Sequence, residues 1–462
     1  MHRRRMFRRA RAWTRRTSAG AAALATVAVA LTLSVVTDGT SRAAISATTT
    51  GAGPVVSRGV TIPAFYTPPA TLPQDNGELV RTEALPLALS LPGIDGTLPG
   101  RATRLMYKST DSRGAPVAVT GAYLEPAAAW TAGGPRPLVV VAPGTMGQGD
   151  QCSASFGLER PVVLTGDTLS AGYEVVAMYR LLSKGIAVVV TDYVGLGTTD
   201  RLHTYVNRVD EGHAVLDAVR AAKVLDGTSL TRGSPVALYG YSQGGGASAA
   251  AVELQPSYAS EVRLAGAYVG APPADLAAVT RAIDGSNLAG ALGWAINGLV
   301  QAEPTLRPIL DRTVNAAGRA ALAELSTMCV GDAILAHGST RSTEWTTTGQ
   351  PINDIVENEP AAQAVFDQQR LGTLKPAAPI RLATGINDNL VPHEQARQLA
   401  LDWCELGGTV TYEPVRLPSI GNALLNHLGP LLTDQGPAID WITDRLAGQR
   451  SASNCSAISS QP

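Results

Sequence analysis

A serine between glycines, placed directly after a short apolar run, is the feature that most constrains the fold of this chain. Residues 236–239 are apolar and are bounded by Pro235 and Gly240, and the residues that follow Gly244 are small. A buried strand, a sharp turn and a closely packed helix in this order form a nucleophile elbow, in which the serine hydroxyl stands clear at the carboxyl edge of a parallel sheet. The pattern therefore predicts an α/β fold with Ser242 as a candidate nucleophile. A turn serine without chemistry is the alternative.

The first 43 residues have the organisation of an export signal. Residues 1–16 contain eight arginines, residues 19–36 are mostly apolar and carry no charge, and Ser41 and Ala43 offer small side chains for cleavage. This order is typical of a cleaved signal peptide, so we expect residues 1–43 to be removed. An uncleaved membrane anchor is the alternative, and Arg4-Arg5-Met6-Phe7 leaves both general and twin-arginine export open.

Cleavage after Ala43 makes the chain acidic. It removes nine arginines and one aspartate from totals of 37 basic and 38 acidic residues, which leaves 28 and 37 and a net charge of −9. This charge argues against nucleic acid as a partner. Four cysteines remain, Cys152, Cys329, Cys404 and Cys455, and their spacing is not that of a zinc site. In an oxidising compartment they predict two disulfides, with three connectivities open, and no metal centre is expected.

Strand-like and helix-like segments alternate along much of the chain, which predicts a mostly parallel sheet covered by helices on both faces. The predicted strands are residues 117–124, 138–142, 186–191, 236–239, 264–269, 380–384 and 410–417, and helices are predicted at residues 174–184 and 211–225. Residues 50–100 are rich in proline and glycine without clear periodicity, so we expect them to wrap the surface as an irregular arm.

The length of 462 residues exceeds one typical core, so we expect either two domains or one core with a large insertion. The predicted organisation is an N-terminal arm at 44–110, a sheet-containing core at 111–271 and 377–447, a helical cap at 272–376, and a polar tail at 448–462. The cap contains an apolar stripe that either lines an acyl pocket or packs on the core: Leu288, Leu292, Trp294, Ile296, Leu299 and Val300.

A serine nucleophile needs a base, and the base needs a group that orients it. Three histidines follow Ser242 in the chain: His337 in the cap, His393 at the start of a helix, and His427, which we place in a loop after the last strand. Asp388 lies just beyond a predicted strand, where its carboxylate can reach an imidazole. The prediction is therefore a triad of Ser242, Asp388 and His427, with His393 as the alternative base.

A tetrahedral intermediate also needs two backbone N–H donors, one from the residue after the nucleophile and one from a loop after an early strand. Gln243 supplies the first. The second comes from the glycine-rich segment 142–149, where Thr145 is the candidate and Met146 the alternative.

Five segments together resemble the secretory lipase family, which includes the fungal lipase A-like enzymes and an actinobacterial branch, within the α/β-hydrolase superfamily. The segments are residues 65–69, residues 143–147 followed by Cys152, residues 192–197, the serine turn at 240–244, and residues 385–392. The resemblance spans about residues 60–447. It implies an α/β-hydrolase fold with an inserted helical cap and no cofactor, with the triad at the residues given above. It also implies a bridge from Cys152 to Cys329, which leaves Cys404 to pair with Cys455.

The function implied is that of an exported serine hydrolase of acyl esters, a lipase acting on triacylglycerol and related lipid esters. The alternatives are a short-chain carboxylesterase, an acyltransferase, a peptidase, or a catalytically silent binding protein on the same scaffold. We expect an acyl ester or lipid substrate, transient contact with a lipid interface, and a secreted protein, with attachment to the cell surface as the alternative location. Asp192 and residues 203–205 also match the family, and we expect them to make structural hydrogen bonds.

Overall fold

A mixed sheet forms the centre of the structure, a computed structural model that describes residues 55–462 apart from residues 89–90, 94–95 and 166. The predicted signal peptide lies outside the described residues. In the described part of the chain, the main sheet has nine strands. In chain order they are β1 (Leu79–Leu85), β2 (Gly100–Thr110), β3 (Pro116–Pro126), β4 (Leu138–Ala142), β5 (Ala187–Thr191), β6 (Val236–Tyr241), β7 (Leu264–Gly270), β8 (Ile380–Gly385) and β9 (Val410–Val415).

The strand order across the sheet is β9-β8-β7-β6-β4-β5-β3-β2-β1. Strands β4 to β9 are parallel, and β1, β2 and β3 form an antiparallel edge that joins β5 through β3. After β5 the chain crosses back and places β6 on the other side of β4. The carboxyl ends of β4 and β6 therefore flank the point where the strand order reverses, and ligands bind at such points in open α/β sheets.

Helices cover both faces of this sheet and form a separate group between β7 and β8. They are α1 (Ala154–Glu159), α2 (Val175–Ser183), α3 (Arg208–Val224), α4 (Gln243–Tyr258), α5 (Leu276–Ile283), α6 (Gly290–Ala302), α7 (Arg307–Thr313), α8 (Ala316–Leu325), α9 (Val330–His337), α10 (Ile352–Asn358), α11 (Pro360–Gln369), α12 (His393–Glu405) and α13 (Ala423–Leu446). No helix in the described residues is long and apolar enough to cross a membrane.

The buried strands alternate their side chains between two cores, one on each face of the sheet. In β4, Leu138 and Val140 pack with α3, α4 and α12, whereas Val139 and Val141 pack with α1, α2 and α13. Both sets are fully buried, which explains why this strand reads as a continuous apolar run. The α/β-hydrolase fold expected from the sequence is the fold observed.

Helices α5 to α11 form the group that the sequence predicts as a cap, within the predicted range 272–376. Their apolar faces form two clusters, one around Trp294 and Leu325 and one around Leu299 and Leu306. The cap and the sheet belong to one compact unit.

The expectation that an N-terminal arm at 44–110 precedes the sheet is corrected, because β1 and β2 already belong to the main sheet. Strand β2 carries Arg101, Arg104 and Lys108, and these charges hide its alternation. Two of them are nevertheless buried: Arg104 lies over the rings of Phe65 and Tyr66 and pairs with Glu159 at 2.7 Å, and Lys108 bonds Asn76.

The C-terminal segment is polar in sequence but is attached to the core. Cys455–Ser460 forms a 3₁₀ helix, and Ile458 within it is fully buried. The Asn454 side chain accepts a hydrogen bond from the Tyr412 N–H of β9 at 2.8 Å, and Cys455 is bonded to Cys404 of α12. The segment is therefore fixed at the edge of the sheet by a covalent bond and by one buried apolar side chain.

Candidate active site

Ser242 occupies a strained turn between β6 and α4. Its φ of 58° and ψ of −124° lie in a region that residues with a Cβ rarely adopt, at a cost of about 1–3 kcal/mol. A Cβ at Gly240 would overlap the carbonyl oxygen of Gly244, and a Cβ at Gly244 would overlap that of Ala142. The two glycines flanking the serine are therefore required by close backbone approach. The Ser242 N–H donates to the Gly270 carbonyl at 2.9 Å, which holds the turn against β7.

The structure brings Ser242, His427 and Asp388 into one hydrogen-bonded line. His427 Nε2 lies 2.9 Å from Ser242 Oγ, and His427 Nδ1 lies 2.6 Å from Asp388 Oδ2. A carboxylate only accepts, so Nδ1 carries the proton and Nε2 is left to accept from the serine hydroxyl. The other Asp388 oxygen accepts the N–H groups of Leu390 and Val391 at 3.1 and 3.0 Å, which fixes the carboxylate.

His427 lies in the second turn of α13, so its predicted placement in a loop is corrected. Its backbone carbonyl accepts the hydroxyl of Tyr241 at 2.7 Å, which ties this part of α13 to the end of β6. His393, the alternative base, begins α12, where its Nε2 lies 3.0 Å from the hydroxyl of Tyr412. The structure does not bring His393 to Ser242.

Thr145 and Gln243, the predicted oxyanion donors, both line a narrow cavity of about 30 Å³ together with Ser242. Gln243 is the first residue of α4, so its N–H has no acceptor within the helix and lies at the positive end of the helix dipole. Met146 is buried instead in a cluster with Leu196 and the Cys152 bridge. Of the two candidates in this loop, Thr145 lines the cavity at Ser242 and Met146 does not, so Thr145 remains the candidate donor.

Cap residues form much of the remaining cavity wall with side chains that are mostly apolar: Leu276, Val279, Thr280, Ile283, Leu288, Ala291 and Ala295. Thr280 and Ala295 also line a second cavity of about 80 Å³ inside the cap. The walls of this second cavity include Leu292, Ile296, Leu299 and Val300 of the predicted stripe and are almost entirely apolar. An apolar space inside the cap thus adjoins the space around Ser242.

Trp294 is the member of the predicted stripe that lines neither cavity. It is fully buried, its indole N–H donates to the Leu325 carbonyl at 2.8 Å, and its ring packs edge-on against Tyr205. Its role is therefore packing inside the cap.

Two buried carboxyl groups lie beside this site, and sequence analysis did not find them. Burial raises the pKa of Glu174 to about 7, and the Gly144 N–H that Glu174 accepts opposes the shift. Burial likewise raises the pKa of Glu211 to about 8. Glu211 Oε1 accepts the side-chain N–H of Gln243 at 2.8 Å, so it contacts the residue that follows the candidate nucleophile.

Of the other residues that match the family, Asp192 has the expected structural role and Tyr205 has an additional one. Asp192 is fully buried and accepts the N–H of Ser155 at 2.8 Å and the hydroxyl of Thr120 at 2.8 Å. Tyr205 lines the cavity at Ser242, and its hydroxyl lies 2.8 Å from Thr145 Oγ1. The sequence around Tyr205 gives no signal of this contact.

The two disulfides are Cys152–Cys329 and Cys404–Cys455, the pairs that the resemblance implies. The first joins the loop after β4 to the start of α9. Backbone hydrogen bonds reinforce this junction, from the Gln148 N–H to the Met328 carbonyl at 2.9 Å and from the Val330 N–H to the Met146 carbonyl at 2.8 Å. Among the described residues, no group of three or more His, Cys, Asp and Glu side chains is arranged to hold a metal ion.

Comparison with known proteins shows which proteins this chain resembles. A probable inactive lipase of Mycobacterium tuberculosis is 28% identical over 388 residues, which cover 83% of this chain and 82% of that protein. Lipase 10 of Candida albicans is 27% identical over 404 residues, which cover 85% and 82%. The structure of Candida antarctica lipase A in its closed state superposes with a TM-score of 0.70 at 19% identity, over 84% of this chain and 87% of that one.

The family comparison covers more than half of the chain and settles its membership. The model of the secretory lipase family matches residues 159–454, a range that begins at the end of α1 and contains the serine turn, the cap, Asp388 and His427. This chain belongs to the secretory lipase family.

Proposed function

We propose that the protein is an exported serine hydrolase of acyl esters in which Ser242 is the nucleophile, His427 the general base and Asp388 the group that orients it. The observation that carries the proposal is the hydrogen-bonded line of these three side chains, with contacts of 2.9 and 2.6 Å, at the strained turn after β6. Nucleophile, base and orienting carboxylate within hydrogen-bond reach of one another are the requirement for acyl transfer to serine.

The reaction proceeds through an acyl-enzyme. As the Ser242 oxygen attacks the ester carbonyl, its proton passes to His427 Nε2, and the carbonyl oxygen becomes an anion that the N–H groups of Thr145 and Gln243 stabilise. When the tetrahedral intermediate collapses, the C–O bond to the alcohol breaks and His427 returns the proton to the leaving alcohol. Water then repeats the sequence on the acyl-enzyme and releases the acid.

The apolar cavity in the cap supports lipid acyl chains as substrates. It begins at Thr280 and Ala295, which also line the space beside Ser242, and continues between Leu299, Leu306 and Phe366. Each methylene that leaves water for such a space contributes about 0.8 kcal/mol, a factor of about four in binding. We therefore propose a lipase that accepts short and medium acyl chains and some long ones.

Labelling with a fluorophosphonate tests the nucleophile. The reagent should modify Ser242 alone and abolish hydrolysis of p-nitrophenyl butyrate, and Ser242→Ala should lose about 10⁴-fold in turnover. Ser257→Ala is the matched control, because Ser257 lies on the exposed side of α4, where its hydroxyl donates to the Leu254 carbonyl of the same helix. Turnover retained in Ser242→Ala, or labelling that persists in it, would refute the assignment.

Acyl-chain length tests the substrate class. Rates should be compared for esters from acetyl to palmitoyl, both in solution and emulsified as triacylglycerol. A lipase gains from chain length and hydrolyses the emulsion. Activity confined to acetyl and butyryl esters would leave the carboxylesterase alternative in place.

A catalytically silent binding protein is the second candidate, because the relative from M. tuberculosis is named a probable inactive lipase. The contacts among Ser242, His427 and Asp388 favour an active enzyme in this chain. The same experiments distinguish the two functions. If the folded protein neither reacts with a fluorophosphonate nor hydrolyses any ester of the series, it is a catalytically silent protein.

We also propose that the mature protein is extracellular, which the secretory family and the predicted signal peptide support. N-terminal sequencing of protein from the culture medium should begin at Ala44. Full-length protein retained in the membrane fraction would instead support the uncleaved anchor.

A further inference from the structure

The loop that carries the proposed oxyanion donor Thr145 is held from behind by three side chains: Glu174 and Tyr193, which are buried, and Tyr173, which is partly buried. Glu174 Oε1 accepts the Gly144 N–H at 2.7 Å, and the hydroxyl of Tyr193 donates to the Pro143 carbonyl at 2.8 Å. The peptide between residues 143 and 144 is thus held at both its oxygen and its nitrogen. One residue further on, the hydroxyl of Tyr173 donates to the Thr145 carbonyl at 3.1 Å.

Between these two anchored peptides lies the peptide that carries the Thr145 N–H. In the described part of the chain, no protein group accepts this N–H. Gly144 has no room for a side chain, because a Cβ there would lie 2.5 Å from the Tyr173 hydroxyl and 3.2 Å from the Tyr241 carbonyl. Fixing the flanking peptides leaves the middle one little freedom to rotate, so the direction of the Thr145 N–H depends on Tyr173 and Glu174.

Placing Glu174 at this buried position lowers the stability of the fold. Glu174 is 4% exposed, it makes no ion pair with a described residue, and burial raises its pKa to about 7. A buried carboxyl without a cationic partner costs stability, and such groups concentrate at functional sites. Its hydrogen bond to Gly144 indicates that Glu174 serves the conformation of this loop rather than the packing of the core.

We propose that Tyr173 and Glu174 are positioning residues of the oxyanion hole: they fix the peptides on either side of the Thr145 N–H so that it points at the oxygen of the tetrahedral intermediate. The proposal rests on the proposed function, since it requires an acyl-transfer intermediate at Ser242. Neither side chain touches the reacting atoms. Loss of a whole oxyanion donor lowers kcat by about 10²–10³-fold, and loss of its positioning lowers it by less.

Two substitutions at Glu174 distinguish the effect of losing the hydrogen-bond acceptor from the effect of losing the negative charge. Glu174→Gln keeps an oxygen that accepts the Gly144 N–H, whereas Glu174→Leu removes the acceptor and keeps the bulk. With p-nitrophenyl butyrate we expect Glu174→Leu to lower kcat by about 10–100-fold with KM within twofold, and Glu174→Gln to stay within about threefold of wild type. An alkyl boronic acid forms a tetrahedral adduct that places an oxygen in the hole. Its inhibition constant should rise in Glu174→Leu by the same factor by which kcat/KM falls.

Leu181→Ala is the matched control, because Leu181 is a fully buried residue of the same helix α2 that lies in the core under the sheet. It should lower the melting temperature and leave kcat unchanged at temperatures below melting. Tyr173→Phe tests the same clamp without altering the buried carboxyl, and we expect a smaller fall in kcat with unchanged KM. It decides the question if Glu174→Leu does not fold.

Three results would overturn the inference. The first is an unchanged kcat in Glu174→Leu or, if that variant does not fold, in Tyr173→Phe. The second is a fall in kcat in Glu174→Gln as large as that in Glu174→Leu, and the third is a fall of that size in Leu181→Ala. A wild-type protein that hydrolyses esters while these variants behave like it refutes the positioning role alone. A wild-type protein without any turnover refutes the proposed function and the inference together.

Discussion

Removal of the Cys152–Cys329 bridge is expected to affect both stability and turnover. The bridge closes a sequence separation of 177 residues, whereas Cys404–Cys455 closes 51. In the chain-entropy model these loops correspond to about 5 and about 4 kcal/mol of stabilisation at 25 °C. The first bridge also joins the loop after β4, which carries Thr145, to the cap at the start of α9. The second joins α12 to the C-terminal segment, away from Ser242.

The assay compares the double variants Cys152→Ala/Cys329→Ala and Cys404→Ala/Cys455→Ala. Urea unfolding should show a loss of several kcal/mol in each, larger by about 1 kcal/mol for the first pair. Turnover of p-nitrophenyl butyrate below the unfolding temperature should fall only in the first pair, and modestly, because the hydrogen bonds at Gln148 and Val330 remain. The reasoning is refuted if the first pair loses less free energy of unfolding than the second, or if turnover falls in the second pair instead.

Three further predictions follow from the geometry of the site. His427→Ala should lose turnover to the level of Ser242→Ala, whereas His393→Ala should stay active; steady-state kinetics that show the reverse would move the base to His393. Burial raises the pKa of Glu211 from 4.5 to about 8, so the folded protein keeps a proton that the unfolded chain releases, and stability falls as pH rises between about 4.5 and 8. Glu211→Gln keeps the acceptor for Gln243 and removes this titration. The free energy of unfolding of the variant, measured by urea titration relative to wild type, should therefore rise by at least about 1 kcal/mol from pH 5 to pH 9. A difference between the two proteins that does not change with pH would contradict the role of Glu211. Ala295→Phe places a large side chain where the two cavities adjoin, so kcat/KM should fall by about tenfold or more for palmitoyl esters and little for acetyl esters, and an equal loss for both would argue against an acyl chain in the cap cavity.

The sequence predicts the parallel part of the sheet well because those strands are buried on both faces. Strand β4 matches its predicted range, and the ends of β5 to β8 fall within two residues of theirs, since an apolar run bounded by glycine or proline has few other meanings. The antiparallel edge and α13 were harder. Strands β1 and β2 expose part of their length and carry charges, and α13 contains Pro430 and Pro437, which read as helix breaks.

The sequence places the three residues of the proposed triad near one another for the same local reason, but it does not indicate the buried acids beside them. Ser242, Asp388 and His427 each follow a strand of one parallel sheet, and topology brings such positions together at one edge. Glu174 and Glu211 instead bond partners 30 and 32 residues away, and no pattern in sequence records those pairs. Both acids also occupy positions at the start of a helix, where acidic residues are common: Glu174 is the N-cap of α2 and Glu211 lies in the first turn of α3. A carboxylate at the start of a helix ordinarily stabilises the helix dipole from the surface, so its sequence context does not distinguish that role from an acid turned inward. Only the burial of both side chains, with a site loop or a site residue as the hydrogen-bond donor, separates the two roles.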